Sequence, residues 1–554
     1  MIVLLEEVRH LQREQLASRV RVWWERVLAS FARQLLHSVW QWRSSQQSVA
    51  TLSAAPWPPI VVVAAADYAS VSTLAGWESM EHRMKRYAPN SLSRRGFLQH
   101  SVAGAGLWAA NQPLAVLGGH GLGEAQRPKV AAIFTEFRFR SHAYNILENF
   151  MGPYLFNGTV TDPGVDIVSF YADQFPADDM TRKVAERTGI VLCDTIEQAV
   201  CLDGKDVAVD AVLLIGEHGK YPRNRLGQVM YPRKLFFDAV VAPMKRSGKF
   251  VPVFNDKHLS YRWDWAKEMY DTAGELGIPF MAGSSVPLAQ RTPDLELPQD
   301  AQIEEAVSIH GGGFESYDFH SLEVLQSIVE SRRGGEAGVT CVEFLQGEKL
   351  DQALQAGRIS QSLVDAAMKA ERDADIERQP FPDPANPQPG KIPPRKKEDF
   401  GQLENKHAIL LTYRDGFRAT VMAVGSSSNR WNFACRLKGE TAPRATAFIN
   451  GPWGNRCLFK ALSYAIQYLF RTRRQPYPVE RTLLVSGALE AAVHSSDQVR
   501  PIETPHLEFG YQPIDFREMR ETGASWEVIT SETPQPIEFS PGADVEFARQ
   551  ATHS

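Results

Sequence analysis

Val130-Ala131-Ala132-Ile133-Phe134 is an unbroken apolar run of strand length, entered from Lys129. Five more short runs follow: Asp166 to Tyr171, Ile190 to Cys193, Val209 to Ile215, Phe250 to Phe254 and Pro279 to Ala282. A strand that is apolar at every position has no solvent face, so these runs predict a parallel sheet covered by helices on both sides. The intervening segments carry helical patterns: His142 to Met151, Asp178 to Arg187, Tyr231 to Arg246 and Trp263 to Leu276. Asp194-Thr195-Ile196-Glu197 reads as a capping box opening a short helix to Leu202. Gly152, Gly189, Gly204, Gly248 and Gly277 follow the helices as C-terminal stops. Alternating strands and helices predict a doubly wound, Rossmann-like α/β domain. Right-handed crossovers bring all strand C-termini, and so any ligand, to one edge.

The second half has a different rhythm. Ile303 to Ile309 and Val339 to Gln346 read as strands, Leu322 to Arg332 and Ser360 to Asp375 as helices. Gln379 to Lys397 is a Pro-rich connector. His407 to Tyr413 and Phe417 to Val424 flank Arg414-Asp415-Gly416 as a hairpin. Trp431 to Leu437 and Ala445 to Ile449 add strands, and Leu458 to Phe470 and Glu480 to His494 add helices. This order predicts an α+β domain on a mostly antiparallel sheet. The Pro-, Glu- and Ser-rich tail beyond Gln512 is expected to be loose. The expected segments are residues 1–83 as an extension, 84–126 as a signal and spacer, 127–288 and 289–513 as the two domains, and 514–554 as the tail.

The formal charge of -5 on 554 residues gives no electrostatic case for nucleic acid. Five scattered cysteines without a Cys-x-x-Cys pair argue against a structural zinc site or a disulfide framework. Ser93-Arg94-Arg95-Gly96-Phe97-Leu98 leads into a modest apolar run to Ala110, with Pro113 and Ala115 beyond. It resembles a twin-arginine (Tat) export signal, which implies the Tat translocon as a partner and a periplasmic or other extracytoplasmic destination. Such a signal belongs at an N-terminus, and Met84 is a natural start. The alternative for residues 1–83 is a basic helix over Glu6 to Trp42 that touches a membrane or a partner.

Three motifs carry a further resemblance. Val251-Pro252-Val253-Phe254-Asn255-Asp256-Lys257-His258 ends a strand; Gly311-Gly312-Gly313 precedes Asp318-Phe319-His320; and Pro476-Tyr477-Pro478-Val479-Glu480-Arg481 opens a late helix. In this order they resemble the Gfo/Idh/MocA oxidoreductases, over about Lys129 to Pro513. The resemblance implies NAD or NADP as cofactor and a sugar, polyol or cyclic hydroxy compound as substrate. It also implies possible self-association through the second domain. Lys257 would then stabilise the developing alkoxide and His320 take the proton, with Asp256 and Asp318 orienting them or simply capping turns.

The departures are as informative. The family's first strand runs into a glycine-rich turn, whereas here Thr135-Glu136-Phe137-Arg138-Phe139-Arg140-Ser141-His142 contains no glycine. A pyrophosphate would have to meet Arg138, Arg140 and the helix start at Ser141, against the charge of Glu136, with Asp173 on the adenine ribose. Ser316 stands where the family has an acid, and an inserted loop begins at Glu217-His218 on the ligand edge. The alternative is a scaffold that has lost its dinucleotide and does non-redox or metal-assisted chemistry. For the latter His218, His258 and His320 with Glu217, Asp256 and Asp318 are the collection available, though no pair has helical ligand spacing and no metal is expected. Trp263, Trp265, Trp431 and Trp453 are either sugar-stacking or core residues.

Replacing Arg94 and Arg95 by Lys is expected to trap a precursor inside the cell. N-terminal sequencing of the exported form is expected to begin between about Ala109 and Lys129; peptides from the first eighty residues in that form would refute the assignment.

Overall fold

The computed structural model describes residues 127–298, 300–374 and 406–551. The segment read as an export signal, the residues before it and the Pro-rich connector lie outside them.

The first strand, β1 (Lys129–Phe134), runs into a short helix, α1 (His142–Leu147). Gly152-Pro153 stops helical continuation, and the chain turns into a hairpin, β2 (Tyr154–Phe156) with β3 (Thr159–Thr161). The doubly wound part continues with β4 (Asp166–Ala172), α2 (Thr181–Thr188), β5 (Val191–Leu192), α3 (Ile196–Cys201), β6 (Ala211–Ile215), α4 (Arg233–Ser247), β7 (Val253–Asp256), α5 (Trp263–Leu276) and β8 (Phe280–Gly283). The capping box at α3 is Thr195 with Gln198, one residue on from the expected pair. Strand order is β5-β4-β1-β6-β7-β8, and every pairing is parallel. This is the 3-2-1-4-5-6 order of dinucleotide-binding folds, and it reverses at β1. The reason for the apolar run is visible in β1. Val130, Ala132 and Phe134 enter one core, while Ala131 and Ile133 enter the core on the opposite face.

The second sheet has eight strands. Its remaining members are β9 (Gln290–Thr292), β10 (Ile303–Gly311), β11 (Val339–Gln346), β12 (His407–Tyr413), β13 (Arg418–Ala423), β14 (Ser427–Leu437), β15 (Arg444–Ile449) and β16 (Ile502–Glu503). Their order is β16-β11-β12-β13-β10-β14-β15-β9, antiparallel throughout except for β10 with β13. Helix α6 (Ser316–Val329) starts six residues before the expected Leu322, because Glu315 and Asp318 form its capping box. Helices α7 (Glu348–Gln355) and α8 (Gln361–Ala374) bury Leu350, Leu363, Val364, Ala367 and Met368 against the sheet. Helix α10 (Val479–Gln498), which follows α9 (Asn455–Thr472), packs on α6. The sheet therefore carries helices on both faces.

The expectation of a loose tail is corrected. Phe516, Met519, Ile529, Phe539 and Val545 are buried, and the chain ends in α11 (Ala543–Ala551). The segment is held by buried charge. Arg456 on α9 takes both Glu148 carboxyl oxygens at 2.5 Å, the Tyr144 hydroxyl at 2.7 Å and the Glu538 carbonyl at 2.8 Å. Lys460 pairs with Asp544, which also accepts from the Leu155 amide at 2.7 Å. Phe539 packs edge-on against Phe137 and Tyr144. Isolated aromatics in a polar background carry no periodicity, so the composition misleads.

Arg456→Ala leaves Glu148 buried without its cation. Urea denaturation is expected to show a loss of about 3–5 kcal/mol; a loss below about 1 kcal/mol would make the pair no better than an exposed one.

Candidate active site at the sheet edge

The strand C-termini deliver a dense polar cluster. Glu217 lies two residues beyond β6, and Thr135 beyond β1 donates its hydroxyl to the Glu217 carbonyl at 2.6 Å. The Glu217 carboxylate meets Arg233 Nη2 at 2.5 Å and Lys257 Nζ at 2.9 Å. Arg233 is the first residue of α4, and Lys257 follows β7 with φ 63°. The backbone of Lys257 is tied to β8 through its amide and the Gly283 carbonyl, 3.2 Å apart. His142, the first residue of α1, places Nδ1 2.6 Å from Asp256 Oδ2. His320 on α6 places Nδ1 2.6 Å from Ser284 Oγ, just beyond β8. His258 lies against Arg233, with Nε2 3.2 Å from Nη1. Exposure is 8 % for Glu217, 6 % for Lys257 and 8 % for His142, so the cluster is nearly dry.

Burial pushes the Glu217 carboxyl up, but Lys257 and Arg233 together hold it well below the usual carboxylate range. Burial drives His218 down to about 3, helped by the neighbouring His142. Burial and the Arg233 charge keep His258 well below the ordinary imidazole value. Burial, Lys257 and His142 do the same for His320. The His142 Nδ1 proton is committed to Asp256, which leaves the Nε2 lone pair free to accept a proton. The site therefore combines a carboxylate-oriented imidazole, a fixed ammonium and neutral imidazoles within one electrostatic neighbourhood.

Of the residues singled out from the sequence, Asp256, Lys257, His320, Glu217 and His218 meet here. Asp318 does not. It lies on the other side of α6, where Oδ1 is 3.1 Å from His310 Nε2 and 2.8 Å from His407 Nε2. These three residues have the composition of a metal site. However, the Gly312 amide donates to His310 Nδ1 at 3.3 Å, so the His310 proton sits on Nε2 and is given to Asp318. That donation uses the lone pair a cation would need, and the trio is a hydrogen-bonded clasp from α6 to β10 and β12. Burial opposes ionisation of Asp318, but the two histidines hold its carboxyl well below the ordinary value.

The residues expected to cradle a dinucleotide are engaged within the chain. Arg138 Nε lies 2.5 Å from the buried Glu136 carboxylate. Ser141 caps α1, its hydroxyl accepting from the Tyr144 amide at 3.2 Å and the Arg138 amide at 3.3 Å. The His142 amide is turned to His218 Nδ1 at 3.4 Å. Arg140 is partly buried, which lowers its guanidinium to about 10, and its φ is 64°. Asp173 accepts the Tyr221 hydroxyl at 2.6 Å and the Tyr171 hydroxyl at 3.1 Å. Gln174 meets the Lys220 backbone through both its carbonyl and its amide. A pyrophosphate needs free helix-terminal amides and a close backbone approach. The residues here do not fit one: the inserted loop and the Ser141 cap use those groups. Of the two readings left open for them, Trp431 and Trp453 take the core one: both are buried, the former stacked on Tyr317 with ring centroids 5.2 Å apart.

Three site members escaped the sequence reading: His142, Arg233 and Ser284. His142 was legible only as a helix start, since its partner Asp256 lies 114 residues away.

No family model matches the sequence, and no curated protein matches it. Among solved structures the chain is similar to GenD2 from gentamicin A biosynthesis in complex with NAD, at 13 % identity and TM-score 0.43, covering 70 % of this chain and 99 % of that one. It is also similar to apo scyllo-inositol dehydrogenase from Lactobacillus casei, at 9 % identity and TM-score 0.41, covering 68 % and 98 %. A probable dehydrogenase from Thermotoga maritima gives 10 % identity and TM-score 0.40, covering 68 % and 99 %. The fold class rests on this chain's own strand order, and these likenesses carry nothing about its activity.

Three imidazoles held neutral have a pH consequence. The folded values of His218, His258 and His320 lie below the unfolded one, so their stabilising contribution is present above about pH 6.5 and is lost as pH falls. Imidazole NMR is expected to show all three still neutral at about pH 5. A midpoint near the ordinary value for any of them would refute its burial in this network.

Proposed function

We propose that the sheet-edge cluster is an acid–base active site for a small hydroxy-carbonyl compound of sugar or oxidised-polyol type. The observation that carries this reading is the 2.6 Å His142–Asp256 contact beside the ammonium that Glu217 holds at 2.9 Å. His142 Nε2 takes a proton from the carbon next to the carbonyl, with Asp256 fixing the tautomer and bearing the imidazolium charge. Lys257 stabilises the enolate oxygen in surroundings of low polarity, where a fixed cation acts strongly. His320, oriented by Ser284, is the group that exchanges a proton with the oxygen or with the opposite face. These residues complete that reaction without an added oxidant. The Tat-like segment supports a periplasmic or extracytoplasmic place of work, and the protein would travel there folded.

A second reading keeps the resemblance to NAD(P)-dependent oxidoreductases, acting on a sugar, polyol or cyclic hydroxy compound through the same Lys257 and His320. The strand order of the first sheet favours it. Two measurements separate the readings. Incubation with aldoses, ketoses and keto-inositols in deuterated water is expected to put deuterium on carbon for one class. His142→Ala is expected to slow that exchange by about a hundredfold or more. Calorimetry with NAD, NADH, NADP and NADPH is expected to show no binding at about millimolar concentration. Dinucleotide binding without any exchange would replace the first reading by the second.

A further inference from the structure

One ring at this edge has no role in the chemistry above. His218 stands at the head of the inserted loop, next to the Glu217 that holds Lys257. Its φ is 73°, a left-handed conformation uncommon outside glycine and recurrent at functional sites. The loop is built to hold it there. Thr135 pins the Glu217 carbonyl on one side of it. On the other side Gln174 bonds the Lys220 backbone, and Asp173 takes the Tyr221 hydroxyl. The His218 ring packs edge-on against His142, with centroids 5.1 Å apart.

The proton of this ring is placed by its neighbour. The His142 amide donates to His218 Nδ1 at 3.4 Å, so Nδ1 is the acceptor and the ring proton is on Nε2. Nε2 makes no hydrogen bond among the described residues, and it is not one of the sealed buried atoms. The residue is only partly buried, so this N–H is open to a ligand. His142 carries the opposite arrangement: its Nδ1 proton goes to Asp256, and its Nε2 is the open acceptor. Two adjoining rings therefore offer one acceptor and one donor. Burial, helped by His142, Lys257 and Arg138 against the pull of Glu217, keeps the His218 ring neutral near pH 7, so the donor keeps its proton.

We propose that His218 is a second donor to the reacting oxygen: its neutral Nε2–H and the Lys257 ammonium hold the carbonyl oxygen of the compound whose carbon His142 deprotonates. This assignment deepens the acid–base reading and rests on it, while the tautomer and the open N–H stand without it. As the C–H bond breaks, its proton goes to His142 Nε2 and its electron pair forms the new C=C bond. The carbonyl π pair moves onto oxygen, where the Lys257 charge and the His218 hydrogen bond meet it. His218 gives up no proton and returns unchanged, so no oxidant or co-reactant is needed. A neutral donor fixed in advance stabilises the developing oxyanion without reorganising. The ligand class that follows is a compound with a planar, electron-rich oxygen: an enolate, an enediolate or a hydroxamate that mimics them.

Two variants separate the N–H from the loop that carries it. Asn tolerates left-handed φ. In His218→Asn the amide oxygen replaces Nδ1 as the acceptor for the His142 amide, and nothing stands at the Nε2 position. In His218→Gln the longer side chain returns an N–H there. Long-range proton–nitrogen NMR of the wild type is expected to show His218 as the Nε2–H tautomer between about pH 5 and 8. An Nδ1–H tautomer would overturn the proposal. Glycolohydroxamate, a planar enediolate mimic, is the probe, with binding read by calorimetry. It is expected to bind the wild type and to move the His218 Nε2 signal. H218N is expected to bind it about tenfold to a hundredfold more weakly, the range for a hydrogen bond to a charged group, and H218Q to recover most of that loss. The melting temperature of H218N is expected to stay within about 3 °C of the wild type. Equal affinity of wild type and H218N, or no affinity in the wild type, would overturn the shared oxygen site. So would an unmoved Nε2 signal in the wild type, which needs no variant to fold. The expected tautomer and binding without deuterium exchange on any sugar would overturn only the proposed reaction.

Discussion

Glu217 holds two buried cations at once, and the site is arranged around that fact. Arg233 at 1 % exposure and Lys257 at 6 % cannot stay charged in a dry edge without a counter-charge. One carboxylate meets both, and its burial is compensated by their combined field. The carbonyl of the same residue is anchored to Thr135, so β1, β6, α4 and β7 are tied at one point. Lys257 is thus fixed in position by the Glu217 carboxylate. Removing one partner of such a network costs far more than its net contribution suggests, because the others remain buried.

The same edge shows how a dinucleotide-type scaffold can become engaged with itself. The loop after β6 sends His218 to the first amide of α1 and Tyr221 to Asp173. Those two places, a helix start and a carboxylate at the end of the second strand, are where a dinucleotide-binding fold makes its anion and ribose contacts. A six-residue α1 capped by its own Ser141 has little electrostatic reach left for a phosphate. The sheet keeps its order while the ligand edge changes its chemistry, because edge loops can vary without disturbing a core buried on both faces.

Helix α6 joins the two halves chemically. Its capping acid, Asp318, is clasped by His310 and His407 in the second sheet, which fixes the rotation of the helix about its axis. That rotation aims His320 at Ser284 and puts Glu323 behind Gly283. The Asp318 and His320 of one short motif therefore do different jobs two residues apart. One secures the helix and the other faces the site.

Much of the architecture was legible in the chain. Unbroken apolar runs such as Val130 to Phe134 can only be strands with two buried faces, and their spacing leaves room for one helix each. Lys257 and His320 were singled out through the motifs that carry the family resemblance, and both lie in the sheet-edge cluster. The partners were not legible. His142 finds Asp256, Arg233 finds Glu217 and Arg456 finds Glu148 across 114, 16 and 308 residues. Such contacts leave no periodic trace, because each depends on a single side chain meeting another only after the sheet has formed. The packed tail escaped for the same reason, since its few aromatics gain their meaning from α1 and α9. Periodicity, which is local, settled the layers; pairing of buried charge, which is not, was decided by the tertiary structure.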